Sequence, residues 1–263
     1  MVEVLKGMTE RVTDDMNGAL IQPFSSEEVK LAISQMYPYK SPNPDGMSLV
    51  VYKKYWHIVG LEVVSFVLNF LKHGCFDDQF HYTYIVLIPK CDSPKCMSHF
   101  RPISLCNITY KIASEMLANR LKPILPFIIS ESQSDFLPSR LISDNVLVAY
   151  ELNHYLAEKT WGSVGHATLK LDLSKAYDRV EWTFLERVLV HLGFHPRFTS
   201  LILLCVFTVS YSIILDCQKF DYFHPCRGLR QGDPLCAEAL SSEFIKYLFL
   251  LCAEALSSEP PAV

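Results

Sequence analysis

Two aspartates in the run LDLSKAYD, Asp172 and Asp178, are the residues of this chain best placed by type and spacing to do chemistry. They stand at the end of a segment, His166 to Ser174, that alternates cleanly. Ala167, Leu169, Leu171 and Leu173 fall on one side, and Thr168, Lys170, Asp172 and Ser174 on the other. A period of two predicts a half-buried strand with Asp172 on its open face. A carboxylate so placed suits Mg²⁺, a hard cation that takes oxygen ligands and keeps bound water. Phosphoryl transfer asks little covalent chemistry of a protein. It needs ions that hold the attacking and leaving oxygens, about 3.5–4 Å apart, with carboxylates from more than one element. Asp172 therefore does not suffice alone. A surface aspartate at a strand end and a mononuclear phosphohydrolase are the other readings of the pair.

Charge adds a second feature. The chain has 24 Lys and Arg against 28 Asp and Glu, a net −4, so no strong basic footprint covers the whole. Between Phe80 and Pro123, however, Lys90, Lys95, Arg101, Lys111, Arg120 and Lys122 face only Asp92 and Glu115. That stretch is either a phosphate-contacting surface or a solvated face. After Arg230 one lysine, Lys246, stands against five acids, so the tail carries −4. The nine cysteines form no CxxC pair, and Cys91 and Cys96 lack a second pair to complete a zinc site. Reduced thiols of an intracellular protein are expected, with no disulfide-linked partner. No signal peptide is visible, and Leu201 to Leu215 is too short and too rich in Ser and Thr to span a bilayer. A soluble protein is expected, nuclear or cytoplasmic.

The elements that must position these residues mix helices and strands without strict alternation, an α+β pattern. Phe24-Ser-Ser-Glu-Glu-Val29 reads as a helix start, with Ser25 as cap, Glu28 completing a capping box and Phe24 stapling onto Val29. Val29, Ile33 and Met36 give that helix its apolar face, and the stretch Pro38 to Met47 ends it in a rigid loop. Tyr52 to Lys72, Ile108 to Leu125 and Ile142 to Lys159 read as helices, the last long and amphipathic. Tyr82 to Pro89 reads as a β-branched strand. A helix carrying Val180, Phe184, Leu185, Val188, Leu189 and Leu192 on one stripe stops at Gly193. Val209 to Leu215 and Phe220 to His224 form a hairpin around Asp-Cys-Gln. Nine residues, LCAEALSSE, occur at Leu235–Glu243 and again at Leu251–Glu259. Solenoid repeats are longer and come in threes or more, so this copy reads as a sequence-level duplication not selected for packing.

In order the chain reads KSPNPDG (Lys40–Gly46), IVLIPK (Ile85–Lys90), FRPISLCNITYKIASEMLANRLK (Phe100–Lys122), QSDFLPSRLISDN (Gln133–Asn145), LKLDLSKAYDRVEW (Leu169–Trp182) and RGLRQGDPL (Arg227–Leu235). This succession resembles the reverse transcriptases of non-LTR (LINE-type) retrotransposons, especially those of plants, from about Phe24 to Ser258. The resemblance implies a right-hand polymerase with fingers and a partial palm, its ferredoxin-like palm sheet incomplete. Residues 1–23 would be an N-terminal extension, 24–165 the fingers-like region, 166–235 the partial palm and 236–263 a duplicated, truncated tail. It implies RNA-directed DNA synthesis with two Mg²⁺ ions, an RNA template, a DNA primer and dNTPs.

Residue by residue, Asp172 matches the aspartate that binds both metals, with Asp178 at the following acidic position. Tyr177 looks like the gate that excludes a 2′-hydroxyl. Lys90 and Arg101 match the fingers cations that clamp the incoming triphosphate, a task suited to the planar fork of arginine. Gln231 and Gly232 match the pair that lies against template and nucleotide. Asn119, Arg120, Arg140 and Arg230 match nucleic-acid contacts. Departures accompany these matches: Asn43 and Ser139 replace expected glycines, and Asp135 replaces a small residue. The helix YLFLLCAEALSS comes late, at Tyr247–Ser258, and no Asp-Asp pair follows Arg230. The expectation is a polymerase core inactive, or nearly so, because its second carboxylate motif is missing. Its alternatives are a non-catalytic nucleic-acid-binding remnant and a relic that never folds stably.

Overall fold

Ser25 opens the first long helix by its side chain, as the capping box requires. In the computed structural model, which describes Leu5, Leu137 and residues 8–39, 46–74, 82–134, 140–163, 165–169, 176–215, 218–229 and 243–257, the Ser25 hydroxyl accepts from the Glu28 amide at 3.2 Å. The Glu28 carboxylate accepts from the Ser25 amide at 2.8 Å. This helix, α2 (Ser26–Gln35), follows a short α1 (Asp14–Leu20) capped by Thr13. Val29, Ile33 and Met36 are buried, as their spacing predicts, with Phe24 packed beside the core. The Tyr52–Lys72 helix forms as α3 (Leu49–Lys54) and α4 (Trp56–His73). Most of the proline-rich loop, residues 40–45, lies outside the described residues.

Strand β1 spans Tyr82–Pro89, the predicted bounds, and turns through a 3-10 segment (Met97–His99) into β2 (Phe100–Leu105). Helix α5 (Ile108–Leu121) and a short α6 (Leu125–Ile128) follow. Polar side chains on α5 fall mainly on one row, Lys111, Glu115 and Asn119 with Arg120 beside it, and most of the rest of the helix is buried. Ile112, Met116, Leu117 and Leu121 are fully buried, each contributing roughly 1.5–3 kcal/mol relative to exposure. Around α5 pack α1, α2, α4, α10 (Pro196–Phe207) and α11 (Glu243–Ser257).

Between them lie α7 (Ile142–Glu158), a single turn α8 (Ala176–Arg179) and α9 (Trp182–His191). The apolar stripe of α9 is buried as expected at Leu185, Val188, Leu189 and Leu192. Gly193 ends it at φ 87°, where a Cβ would also strike the Glu10 side chain at 2.5 Å.

The hairpin expected near residue 215 forms as β3 (Ser210–Leu215) and β4 (Gln218–Lys219), and Tyr211 bridges Phe223 beyond it. The sheet order is β2-β1-β3-β4, with β1–β2 and β3–β4 antiparallel and β1–β3 parallel. Its strands thus come from both sides of the expected 165/166 division.

One expectation needs correction, and two others are met with a difference in packing. The strand predicted from His166 is not formed over residues 165–169, which are exposed without strand pairing, Leu169 at 81%. A strand is held by its neighbour's backbone, and among the described residues none pairs with this one; residues 170–175 lie outside them. Helix α7 forms over the expected span, but Val146, Leu147, Tyr150 and Leu152 are more than half exposed. Periodicity gave it an apolar face that no element among the described residues covers. Third, the second copy of LCAEALSSE packs. Leu251, Cys252 and Ala255 of α11 are buried in the core, where burial pushes the Cys252 thiol up to about 12. The first copy, up to residue 242, lies outside the described residues.

The N-terminal segment is also part of the core. Leu5, Val12 and Leu20 are buried, and the Arg11 and Val12 amides donate to the Leu192 carbonyl. Asn17 locks the α9–α10 corner, donating to the Gly193 carbonyl at 2.7 Å and accepting from the His195 amide at 2.8 Å. No helix of the described residues is long and apolar enough to cross a membrane.

Candidate functional site

Lys90 and Arg101 meet at one end of the sheet. Ile88 is the register partner of Arg101, and the Lys90 amide donates to the His99 carbonyl at 2.8 Å, one step further along the hairpin. With a period of two, both cations fall on the same face, as diagonal neighbours roughly 7–8 Å apart at the backbone. Both are exposed; the Lys90 ammonium donates to the Ser98 carbonyl at 3.1 Å. The strand-turn-strand geometry therefore gathers two cations on one solvent-facing edge, an arrangement able to hold an anion with several oxygens.

A second group forms where the aspartate motif meets the segment entering RGLRQGDPL. The Leu229 amide donates to the Tyr177 carbonyl at 2.9 Å and the Gly228 amide to the Val180 carbonyl at 2.8 Å. Glu181 and Arg227 form a β-bridge, and the Trp182 indole donates to the Gly228 carbonyl at 2.8 Å. Gly228 sits at φ 92°, and a Cβ there would come within 3.1 Å of the Asp178 carbonyl oxygen. Only glycine lets the two backbones close this far. Asp178 is exposed on α8, and the Tyr177 ring packs on Phe249 of α11 with centroids 4.5 Å apart. Asp172, Arg230, Gln231 and Gly232 lie outside the described residues. Among the described residues no three His, Cys, Asp or Glu side chains are gathered to hold an ion.

The other expected nucleic-acid contacts are occupied within the protein. Arg120 spends all five of its donors. It pairs with Glu28 through Nε at 2.8 Å and Nη2 at 3.0 Å, and bonds the carbonyls of Leu20, Gln22 and Pro23. Its guanidinium also stacks on Phe24, 3.5 Å from the ring centroid. Burial pushes the Glu28 carboxyl up, but hydrogen bonds from Arg120 and the Ser25 amide outweigh it and hold the group below its ordinary value. Arg140 bonds the carbonyls of Ser130, Gln133 and Ile129, closing the turn after α6. Asn119 donates to the Gln35 side chain at 2.7 Å.

One cluster escaped the sequence reading. The Lys219 ammonium donates to the Tyr84 hydroxyl at 3.1 Å and lies 4.5 Å from the centre of the same ring. Tyr222 shares a hydrogen bond with Tyr84, hydroxyl to hydroxyl at 3.1 Å, and stacks on Tyr82 with centroids 4.4 Å apart. The bond to Tyr222, then that from Lys219, holds the Tyr84 phenol below its usual range; the same bond pushes Tyr222 up to about 12. The alternation Tyr82-Thr83-Tyr84 already put both rings on one face. Only the pairing of β1 with β3 brings them to Lys219 and Tyr222.

Residues 88–255, more than half of the chain, match the protein family described as "Reverse transcriptase (RNA-dependent DNA polymerase)". Similar proteins include the Transposon TX1 uncharacterized 149 kDa protein of Xenopus laevis, 28% identical over 91% of this chain and 18% of its own length. Another is the retrovirus-related Pol polyprotein from type-2 retrotransposable element R2DM of Drosophila melanogaster, 27% identical over 87% of this chain and 22% of that protein. A third, from the type-1 retrotransposable element R2 of Nasonia vitripennis, is 24% identical over 82% of this chain and 20% of its own. The chain thus spans about a fifth of the length of these relatives.

Proposed function

Since the chain belongs to the reverse transcriptase family, in its non-LTR (LINE-type) branch, we propose that it is the fingers and first palm portion of an RNA-directed DNA polymerase. The observation that carries this reading is the backbone closure of residues 177–182 on residues 227–229. It joins the aspartate motif to the segment that runs into Arg230, Gln231 and Gly232, two motifs that must act on the same nucleotide.

In this reading Lys90 and Arg101 hold phosphates, both of the incoming dNTP and of the template strand it pairs with. Tyr177 bars a 2′-hydroxyl, and Gln231, Gly232 and Arg230 lie along template and nucleotide. Asp172 and Asp178 offer the hard oxygen donors that suit Mg²⁺. Bound ions would stabilise charge on the oxygens of the transferring phosphoryl group. The reaction is attack of a primer 3′-hydroxyl on the dNTP α-phosphate, with pyrophosphate leaving. Asn119, Arg120 and Arg140 serve by holding the protein's own segments, Asn119 through the Gln35 side chain. No Asp-Asp pair follows Arg230 in these 263 residues, so a polypeptide of this sequence alone retains the grip on nucleic acid and turns over little.

The grip is tested by titrating a labelled RNA–DNA primer-template hybrid at several salt concentrations. Binding is expected to weaken as salt rises. The Lys90→Ala/Arg101→Ala pair should weaken it by about tenfold and reduce the salt slope by about 2, about 1 for each cation. Asp172→Ala should bind as the wild type does. Affinity that ignores both the salt and the two cations would overturn the reading.

A further inference from the structure

The register of the sheet puts more than Lys90 and Arg101 on their face. Arg101 pairs with Ile88, Ile103 with Val86, Val86 with Ile214, and Ile214 with Lys219. Side chains of paired residues point the same way, so Lys219 shares a face with both fingertip cations. Tyr84 and Tyr82, two and four residues before Val86, share it too, and their contacts bring Tyr222 onto it. None of the four strands contains an acidic residue. From Lys90 to Tyr84 this face runs roughly 20 Å at the rise of an extended strand, buried at Ile103, Tyr84 and Ser212 and open at its cationic ends.

We propose that the far end of this face, Lys219 with the Tyr82–Tyr222 stack, seats single-stranded nucleic acid, bases on the tyrosine rings and backbone phosphate on the ammonium. The proposal rests on the polymerase reading above, and extends it to a strand-binding site beyond the nucleotide clamp. Three features favour nucleic acid as the occupant. The strands of this face bring cations and no carboxylate to oppose phosphate, although Asp216 falls in sequence between β3 and β4 and Asp221 flanks it on the loop. Tyr222 is 44% exposed while its ring is already braced from one side by Tyr82, and a braced ring is a stacking platform that any base can extend. Lys219 is fixed by Tyr84 through one of its three donors, so its charge is held beside the rings rather than swinging in solvent.

The test uses the full chain and two labelled single strands of about 12 nucleotides, oligothymidine and an abasic strand of equal length. Stacking requires that the wild type favour oligothymidine. Tyr222→Leu should lower its affinity for that strand roughly tenfold and remove the preference, whereas Tyr222→Phe, which keeps the ring, should keep both. Lys219→Met should weaken binding to the two strands alike and reduce the salt slope by about 1. The phenylalanine variant also reports whether loss of the hydroxyl bond to Tyr84 disturbs folding. Equal binding of the two strands by the wild type, or an unaltered Tyr222→Leu, would overturn the seat and leave a protein partner as its occupant. If Lys90→Ala/Arg101→Ala still weakened hybrid binding, the polymerase reading would survive that failure. A wild type that bound neither strand nor hybrid would overturn both.

Discussion

Replacing Arg120 with alanine should lower the unfolding free energy by about 3 kcal/mol, the low end for breaking a buried ion pair. The side chain of Arg120 is only 10% exposed, and that of Glu28 is 31% exposed, so Glu28 recovers part of its hydration when its partner goes. The carbonyls of Leu20, Gln22 and Pro23 lose their donor at the same time, and the α1–α2 connection loses its clamp. For a chain of this size the loss is read as a fall in Tm of roughly 6–12 °C. Arg120→Lys should recover little, because a lysine cannot meet five acceptors with one planar fork.

The effect also has a pH signature. Glu28 is held below its ordinary value of 4.5 in the folded chain. A depressed carboxylate stabilises the fold above that value and loses its contribution as pH falls through the folded one. The gap in Tm between wild type and Arg120→Ala should therefore be widest near neutrality and shrink below pH 4.5. A gap under about 2 °C at neutral pH would limit the clamp to less than about 1 kcal/mol and contradict this expectation.

Glu254→Ala should cost about 2–3 kcal/mol. Glu254 is 2% exposed, accepts from Arg11 at 2.7 Å and from the Ser130 hydroxyl at 2.9 Å. Arg11 also donates to the Ile128 carbonyl at 2.7 Å. One carboxylate thus ties the N-terminal segment, the end of α6 and α11 together. Arg11 is 29% exposed, which keeps the cost below that of a fully buried pair. Glu254→Gln should recover part of the loss through its amide oxygen. Hydrogen exchange locates the damage: the α11 amides should lose protection first in Glu254→Ala. Protection that falls evenly over the whole chain would show that the network does not single out this helix.

The sequence disclosed what short-range physics determines. The Ser25–Glu28 box, the bounds of β1 and the Gly193 stop all depend on neighbours within a few residues, and each stands where its pattern puts it. Partners distant in sequence were not legible. β1 pairs in parallel with β3 more than a hundred residues later, a choice set by how the chain closes on its core. Without that pairing Lys219 and Tyr84 belong to unrelated segments. Arg120 carries the same motif signature whether its fork meets phosphate or Glu28, and only the carbonyls around it decide. The apolar residues of α7 and the alternation from His166 announced faces, but a face is buried only when an element arrives to cover it. The duplicated LCAEALSSE failed the other way. An origin by copying does not prevent Leu251 and Ala255 from fitting a helix that the core accepts.

Primer extension on an RNA template, with dNTPs and Mg²⁺, tests the central claim most directly when hybrid binding is read in the same samples. The wild-type polypeptide of 263 residues should bind the hybrid in a salt-sensitive way and extend the primer barely or not at all, and Asp172→Ala should behave alike. Strong Mg²⁺-dependent extension by the wild type, abolished in Asp172→Ala, would contradict the account, because another carboxylate would then complete the site. Failure to bind the hybrid at low salt would contradict it from the other side.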